Sequence, residues 1–382
     1  MKRPIVRLSS LQLTNIKNVK KGTIYMPNTV NKILSADKAE ILGIYGQNGS
    51  GKTAIVDALY FLQKVMIGAD LAQSLEDYMN MDSDTAEIFA DFNLFMNGTV
   101  FEIGYRLSLS REEKVVVISR ETLSGAKNEN GIRTNKTVFM DYKRDQTNTI
   151  FKPQKRLDEI LEENKDIKTD LIVARKMAQK SNCSYIFGES SRDIFCREYK
   201  NGFQQFSVII SSLSEFALKD LFVIRNTHSG VISGNFVLPM AFRIENDNMG
   251  AKGDFTVSLT EPILVDEERK NLLETIVEQI NIVLYTIIPG LQVTIKNYGK
   301  QSLDDGEEGW KLELMSKKEG MKEIPLRMES EGIIKIISIL NALIQAFGNP
   351  SICLVIDELD SGIFEYMLEN CLIFSKRAQK DN

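Results

Sequence analysis

The chain has 382 residues, 43% hydrophobic and 26% charged, with 24 glycines and only 8 prolines. That length suffices for one elaborated domain or two, and the composition excludes both a disordered linker protein and a disulfide-stapled miniature. Lys and Arg number 47 against 52 Asp and Glu, a net charge of −5, so no overall positive field advertises nucleic acid.

Cys183, Cys196, Cys353 and Cys371 lack C-x-x-C spacing, and His228 is the single histidine, which excludes a histidine-rich zinc site. The basic N-terminus runs into Arg7 and polar residues where a secretory apolar core would begin. The longest apolar stretch, 332 to 347, is interrupted by Lys335, Ser338, Asn341 and Gln345. Neither a signal peptide nor a membrane span is expected, and the chain reads as cytoplasmic with reduced thiols.

In chain order, residues 5 to 25 alternate loosely (Val6, Leu8, Leu11, Leu13, Ile16, Val19) and predict strands opening a sheet. Lys2, Arg3, Arg7, Lys17, Lys20, Lys21 and Lys32 all precede the first acid, Asp37. A solvated edge strand explains such a strip better than a phosphate-contacting one, and any nucleic-acid binding is expected to be weak. The apolar run 41 to 45 predicts a buried strand, and Ile55, Leu59, Leu62 and Met66 predict the helix after it. Period-two alternation from Ala86 to Met96 and from Phe101 to Leu107, joined by Asn97-Gly98, predicts a hairpin with a type I′ turn. Residues 154 to about 226 read as helical, and 236 to 262 as short strands. Asp266 to Ile288 reads as one helix stopped by Pro289-Gly290, followed by strands at 291–297 and 310–316. A helix from about Glu329 to Phe347 and a buried strand, Ile352 to Ile356, complete the pattern.

Between the first predicted buried strand and its helix stands Gly46-Gln47-Asn48-Gly49-Ser50-Gly51-Lys52-Thr53. This matches G-x-x-x-x-G-K-[ST] in the strand–loop–helix context that gives the pattern meaning. Glycines let successive backbone N–H groups turn toward a phosphate, the helix N-terminus adds its positive end, Lys52 supplies a point charge, and the Thr53 hydroxyl suits Mg²⁺. Far downstream, an apolar strand delivers Asp357 and Glu358. Asp357 suits the Mg²⁺ shell, and Glu358 suits the polarisation of an attacking water. The separation of 305 positions from Lys52 to Asp357 exceeds that of any compact kinase, and no N/T-K-x-D base-reading motif or lid supports a small-molecule kinase or GTPase.

Together, the P-loop after a basic strand region, the β-rich segment, the helical insertion and the late Asp-Glu resemble ABC-type ATPases. The branch is that of SMC, RecF and the overcoming-lysogenization-defect proteins, especially bacterial stand-alone AAA-type proteins linked to phage defence. The resemblance implies an α/β P-loop NTPase of the ABC-head type, with an antiparallel β subdomain and a mainly helical insertion. The expected domains are an N-terminal ATPase lobe over 1–150, the insertion over 151–290, and a C-terminal lobe with signature-like helix and Walker B strand over 291–382. It further implies ATP and Mg²⁺ as cofactors, an ATP-dependent homodimer, and a nuclease or toxin as partner.

In that family a signature segment from the opposite subunit meets the γ-phosphate, and Glu329-Ser330-Glu331-Gly332 stands in the matching place, giving Ser330 and Gly332 that role. The alternative is that Ser330 caps the helix, and the fuller Leu-Ser-Gly-Gly-Gln is not present. Asp360-Ser361-Gly362 resembles the segment through which paired sites communicate. Two features depart from the family. No histidine lies in the 24 residues after Glu358, where a switch histidine is expected, so the chain reads as lacking that end of the pattern and as a slow hydrolase. His228 is read as an ordinary surface or core residue. The phosphate-sensing glutamine, for which Gln146 and Gln154 are candidates, is left unassigned. A nucleotide-binding scaffold that barely hydrolyses is the competing reading.

Overall fold

The computed structural model describes residues 3–71, 74–113, 115–146, 148–163, 165–225, 237–246, 249–302 and 308–359. The chain divides into two units, Met1–Val223 with Pro350–Cys353, and Ile224–Asn349 with Leu354–Asn382. The expected boundaries at 150 and 290 each fall inside a unit.

In the first unit, alternation builds an antiparallel sheet. Its strands are β1 (Ile5–Ile16), β2 (Val19–Tyr25), β3 (Thr85–Met96), β4 (Thr99–Glu112), β5 (Val115–Glu129), β6 (Ile132–Arg133) and β7 (Thr137–Lys143), in the order β2-β1-β3-β4-β5-β6 with β7 also on β5. Asn97 and Gly98 join β3 to β4 with φ of 49° and 77°, the pair of positive values that a type I′ turn requires. The loose period of β1 has a cause. The register against β3 shifts between Leu8 and Ser10, so Val6 and Leu8 face the core before the bulge and Leu11 and Leu13 face it after.

Helices cover the buried face: α1 (Pro27–Val30), α2 (Lys52–Met66), α3 (Gln154–Glu163), α4 (Ile167–Ser181), α5 (Glu189–Phe195) and α6 (Gln204–Glu215), the last running into a π-helical turn at 216–220. Aromatic pairs lock the sheet to this layer: Phe92 with Phe216 at 5.8 Å between ring centroids, Tyr105 with Phe187 at 5.2 Å, and Phe139 with Phe206 at 4.8 Å. On α2, the Gln63 amide donates to the carbonyls of Ala217 (3.1 Å) and Leu221 (2.5 Å), fixing the helix that the glycine-rich loop opens.

The basic strip is divided by the fold. Arg3 pairs with Glu215 and Asp220, Arg7 with Glu40, and Lys17 with Asp57, while Lys20 and Lys21 remain exposed on β2, at the sheet edge. Lysine there blunts edge-to-edge association.

The buried strand expected at 41–45 does not form. Ile41, Leu42, Ile44 and Tyr45 are exposed, Tyr45 to 86%, and among the described residues the run lies outside every sheet. Apolar composition favours burial, but a strand also needs a neighbour for its N–H and C=O groups.

In the second unit, β9 (Val237–Asn246) and β10 (Met249–Ser258) form a hairpin, and β11 (Ile263–Val265), β12 (Leu291–Ser302), β13 (Glu308–Lys318) and β14 (Ile324–Pro325) form a sheet in the order β11-β13-β12 with β14 on β13. The helix α7 (Glu267–Ile287) starts at Asp266, whose carboxylate accepts from the Arg269 N–H at 2.7 Å. Its face Leu273, Ile276, Val277, Ile280, Leu284 packs with Ile334, Ile337 and Leu340 of α8 (Glu331–Gly348) in one core. Two short strands, β8 (Leu221–Ile224) and β15 (Cys353–Ile356), pair with each other. The mixed α/β class, with an antiparallel β subdomain and helices following it, is borne out. Among the described residues no helix is long and apolar enough to cross a membrane.

Candidate functional site

The loop Gly46–Gly51 rises from the exposed run 41–45 and turns directly into α2. Gly49 and Gly51 take φ of 83° and 95°, left-handed values that glycine adopts without a Cβ clash. Gly51 is needed twice over, since a Cβ there would lie 2.5 Å from a methyl of Val19. The Ser50 N–H closes the turn on the Gln47 carbonyl at 3.2 Å, and Lys52 curls back so that its ammonium donates to the carbonyls of Gly46 (2.5 Å) and Gln47 (2.9 Å). Gly46 through Ser50 and Thr53 are exposed, and Lys52 is half-buried. The first turn of α2 carries no acid, so free N–H groups, the helix dipole and one ammonium give this loop a local positive end suited to an anion.

The remaining expected residues belong to the second unit. Ser330 is the N-cap of α8, its Oγ accepting from the Ile333 N–H at 3.4 Å, and it is exposed whereas Gly332 is buried. The capping contact named as the alternative for Ser330 is thus made. Asp357 is buried just beyond β15, its N–H donating to the Ile224 carbonyl at 3.0 Å. Glu358 is exposed and holds a left-handed φ of 49°. Such backbone is sparsely populated for a side-chain-bearing residue and persists where its surroundings hold it. Here the holder is Lys335, buried on α8, whose ammonium donates to the Glu358 carbonyl at 2.5 Å.

Gln146 lies in the loop after β7, where its side-chain oxygen accepts from the Thr149 hydroxyl at 3.3 Å, and Gln154 opens α3 with its amide on Asp158 at 2.8 Å. His228, Cys371 and Asp360-Ser361-Gly362 lie outside the described residues. Burial pushes the thiols of Cys183 and Cys196 up to about 11 and that of Cys353 up to about 12, which makes them poor nucleophiles near neutrality.

Sequence reasoning missed Asn18, Asp57 and Lys335. Lys335 carried a signal, a lone charge inside an apolar helical run. Asn18 carried none, because its partner is 31 residues away.

Residues 41–170 match the family described as "AAA domain, putative AbiEii toxin, Type IV TA system". The chain is 40% identical over 75 residues to the DNA replication and repair protein RecF of Shewanella sp. (strain W3-18-1), covering 19% of each protein. It is 30% identical over 99 residues to RecF of Deinococcus radiodurans, covering 26% of this chain and 24% of that one. The matched stretch therefore spans about a fifth to a quarter of these relatives. The solved Smc head domain with an extended coiled coil from Pyrococcus furiosus, bound to the C-terminal domain of ScpA, aligns over 99% of this chain and 88% of that one at 15% identity, with a TM-score of 0.41. The family match and the RecF relatives bear out the resemblance to the ABC-type ATPases of the SMC and RecF branch.

Proposed function

We propose that the chain binds ATP with Mg²⁺ and acts as an ABC-type ATPase head that closes on a second copy around the nucleotide. The observation that carries this reading is the loop 46–53: a glycine turn with left-handed Gly49 and Gly51, opening α2 at Lys52, inside the stretch that matches the AAA family. In this role the Lys52 ammonium exchanges the Gly46 and Gln47 carbonyls for β- and γ-phosphate oxygens, and the first N–H groups of α2 face the phosphates.

The donor set suits Mg²⁺. Among the described residues no three His, Cys, Asp or Glu side chains gather into a dedicated cage, and this ion is commonly held by a carboxylate or two together with substrate phosphates. Thr53 and Asp357 would hold it, and when bound it neutralises charge on the phosphates. Glu358 polarises the attacking water in this reading, and Ser330 and Gly332 of each copy serve the nucleotide of the other. Because the γ-phosphate contacts from the second copy exist only in the closed pair, ATP favours closure and its hydrolysis releases it. DNA maintenance or phage defence is the setting we propose, with a nuclease or toxin as effector. The RecF likeness and the family description support that choice.

Calorimetric titration with ATP tests the site. Lys52→Ala is expected to weaken binding roughly 10- to 100-fold, the loss of a charged hydrogen-bond donor, and unaltered affinity overturns the assignment. Glu358→Gln is expected to retain binding, lower phosphate release by roughly a hundredfold or more, and accumulate an ATP-dependent dimer in light scattering. ATP binding without turnover in the unsubstituted chain favours the alternative, a nucleotide-gated scaffold for a partner.

A further inference from the structure

The turn between β1 and β2 is more constrained than a hairpin requires. Asn15 and Lys17 both carry positive φ, 53° and 49°, a conformation that L side chains rarely adopt without external support. The support comes from outside the hairpin. The Lys17 N–H donates to the Tyr78 carbonyl at 2.9 Å, the Asn80 N–H to the Asn15 carbonyl at 2.9 Å, the Asn80 amide to the Lys17 carbonyl at 2.5 Å, and the Asn15 amide to the Thr85 carbonyl at 2.9 Å. The Lys17 ammonium reaches the buried carboxylate of Asp57 on α2. So braced, the tip presents two groups to the glycine loop: Val19 packs against Gly51, and the Asn18 amide donates to the Gly49 carbonyl at 2.7 Å.

Gly49 is the position where such a restraint is needed. Nothing lies within 4 Å of where its Cβ would stand, so packing does not oppose rotation of the peptide between Gly49 and Ser50. Glycine backbone is itself permissive. A flipped peptide would break the Ser50-to-Gln47 bond that closes the turn and take the Gly49 carbonyl off Asn18. That peptide is instead held at both ends, its carbonyl by Asn18 and its N–H by the Gln47 carbonyl.

We propose that Asn18 is a positioning residue for the phosphate loop: the braced β1–β2 tip holds the Gly49–Ser50 peptide in the orientation that closes the glycine turn, and so aims the N–H groups that open α2 at phosphate. This rests on the nucleotide reading above. It extends that reading to a segment outside the glycine loop itself.

The test compares Asn18→Ala and Asn18→Asp with the unsubstituted chain and Lys52→Ala, measuring the affinity for ATP and for inorganic tripolyphosphate, and the melting temperature without ligand. Asn18→Ala is expected to lose about fivefold to tenfold in affinity, the worth of one neutral hydrogen bond. The factor should be equal for the two ligands, because the restraint acts on phosphate alone. The melting temperature should stay within about 2 °C, since the amide is exposed. Asn18→Asp is expected to lose more, because a carboxylate repels both the Gly49 carbonyl and the phosphates.

An unsubstituted chain that binds neither ligand overturns the nucleotide reading and this proposal with it. Binding that Lys52→Ala weakens and Asn18→Ala leaves within twofold overturns the positioning role alone. So does an affinity loss in Asn18→Ala that comes with a matching fall in melting temperature.

Discussion

Each unit contains a tyrosine hydroxyl donating to a glutamate at 2.6 Å, Tyr105 to Glu121 in the first and Tyr298 to Glu313 in the second. The two carboxyls nevertheless shift in opposite directions. Glu121 is fully buried and accepts also from the Ser184 hydroxyl at 2.5 Å and the Tyr185 N–H at 2.6 Å, yet burial raises its pKa against the pull of all three donors. The Tyr105 hydroxyl is raised as well, by burial first and by its carboxylate neighbour second. Glu313 is half-buried, and the Tyr298 hydroxyl, reinforced by Arg327 at 2.5 Å, holds its pKa below the ordinary carboxylate range. The same tyrosine contact therefore leaves the charge undetermined; burial among neutral donors raises one carboxyl, while water and the Arg327 guanidinium favour the charged form of the other.

The largest expected effect comes from deleting the buried acceptor. Glu121→Ala strands three donors and opens a cavity, at a cost of about 3 kcal/mol in urea unfolding. The equivalent Glu313→Ala should cost about 1 kcal/mol or less, because water reaches its partners. Equal losses would break the comparison.

The pH dependence sharpens it. Because the Glu121 pKa is raised on folding, the stability tied to its proton is fully present below the ordinary glutamate value and declines as pH rises through the raised one. Glu313, depressed, contributes above its ordinary value and loses that contribution as pH falls through the folded one. Melting curves of Glu121→Gln and Glu313→Gln against the unsubstituted chain should consequently diverge at opposite ends of the pH range. Parallel curves would refute the difference in solvation.

The smallest effect concerns the thiols of Cys183 and Cys196, each raised to about 11 by burial. Their alkylation at pH 8, followed by mass spectrometry, should run slower than that of a free cysteine by more than tenfold.

These acids mark where sequence reading stops. The β3–β4 hairpin was legible because alternation and Asn97-Gly98 agree, and α7 because Asp266 caps a clean apolar stripe. The loop 46–53 was legible because its pattern is local. By contrast, Glu121 reads as an ordinary polar position in β5 until Ser184 and Tyr185, more than sixty residues later, arrive to donate to it. The run 41–45 misled for a related reason. Its apolar side chains state a preference for burial, while strand formation depends on a partner elsewhere in the chain. Asn18 and Asp57 belong to the same class, residues defined by a distant partner.

Arg175 has a consequence of another kind. Its buried guanidinium donates to the carbonyls of Lys143 (2.8 Å), Arg144 (3.2 Å) and Ile150 (3.3 Å), and to those of Gln146 and Thr149. These five acceptors line the passage from the last strand of the sheet to the first helix of the following layer. The two terminal nitrogens of the planar guanidinium, with four N–H groups in a fixed fork, reach all five by sharing, and lysine, with three on a flexible stem, does not. The helical layer therefore cannot peel from the sheet without stranding a row of carbonyls. Strands and helices of the first unit should accordingly exchange their amide hydrogens as a single foldon, with no early-opening seam at residues 143–150.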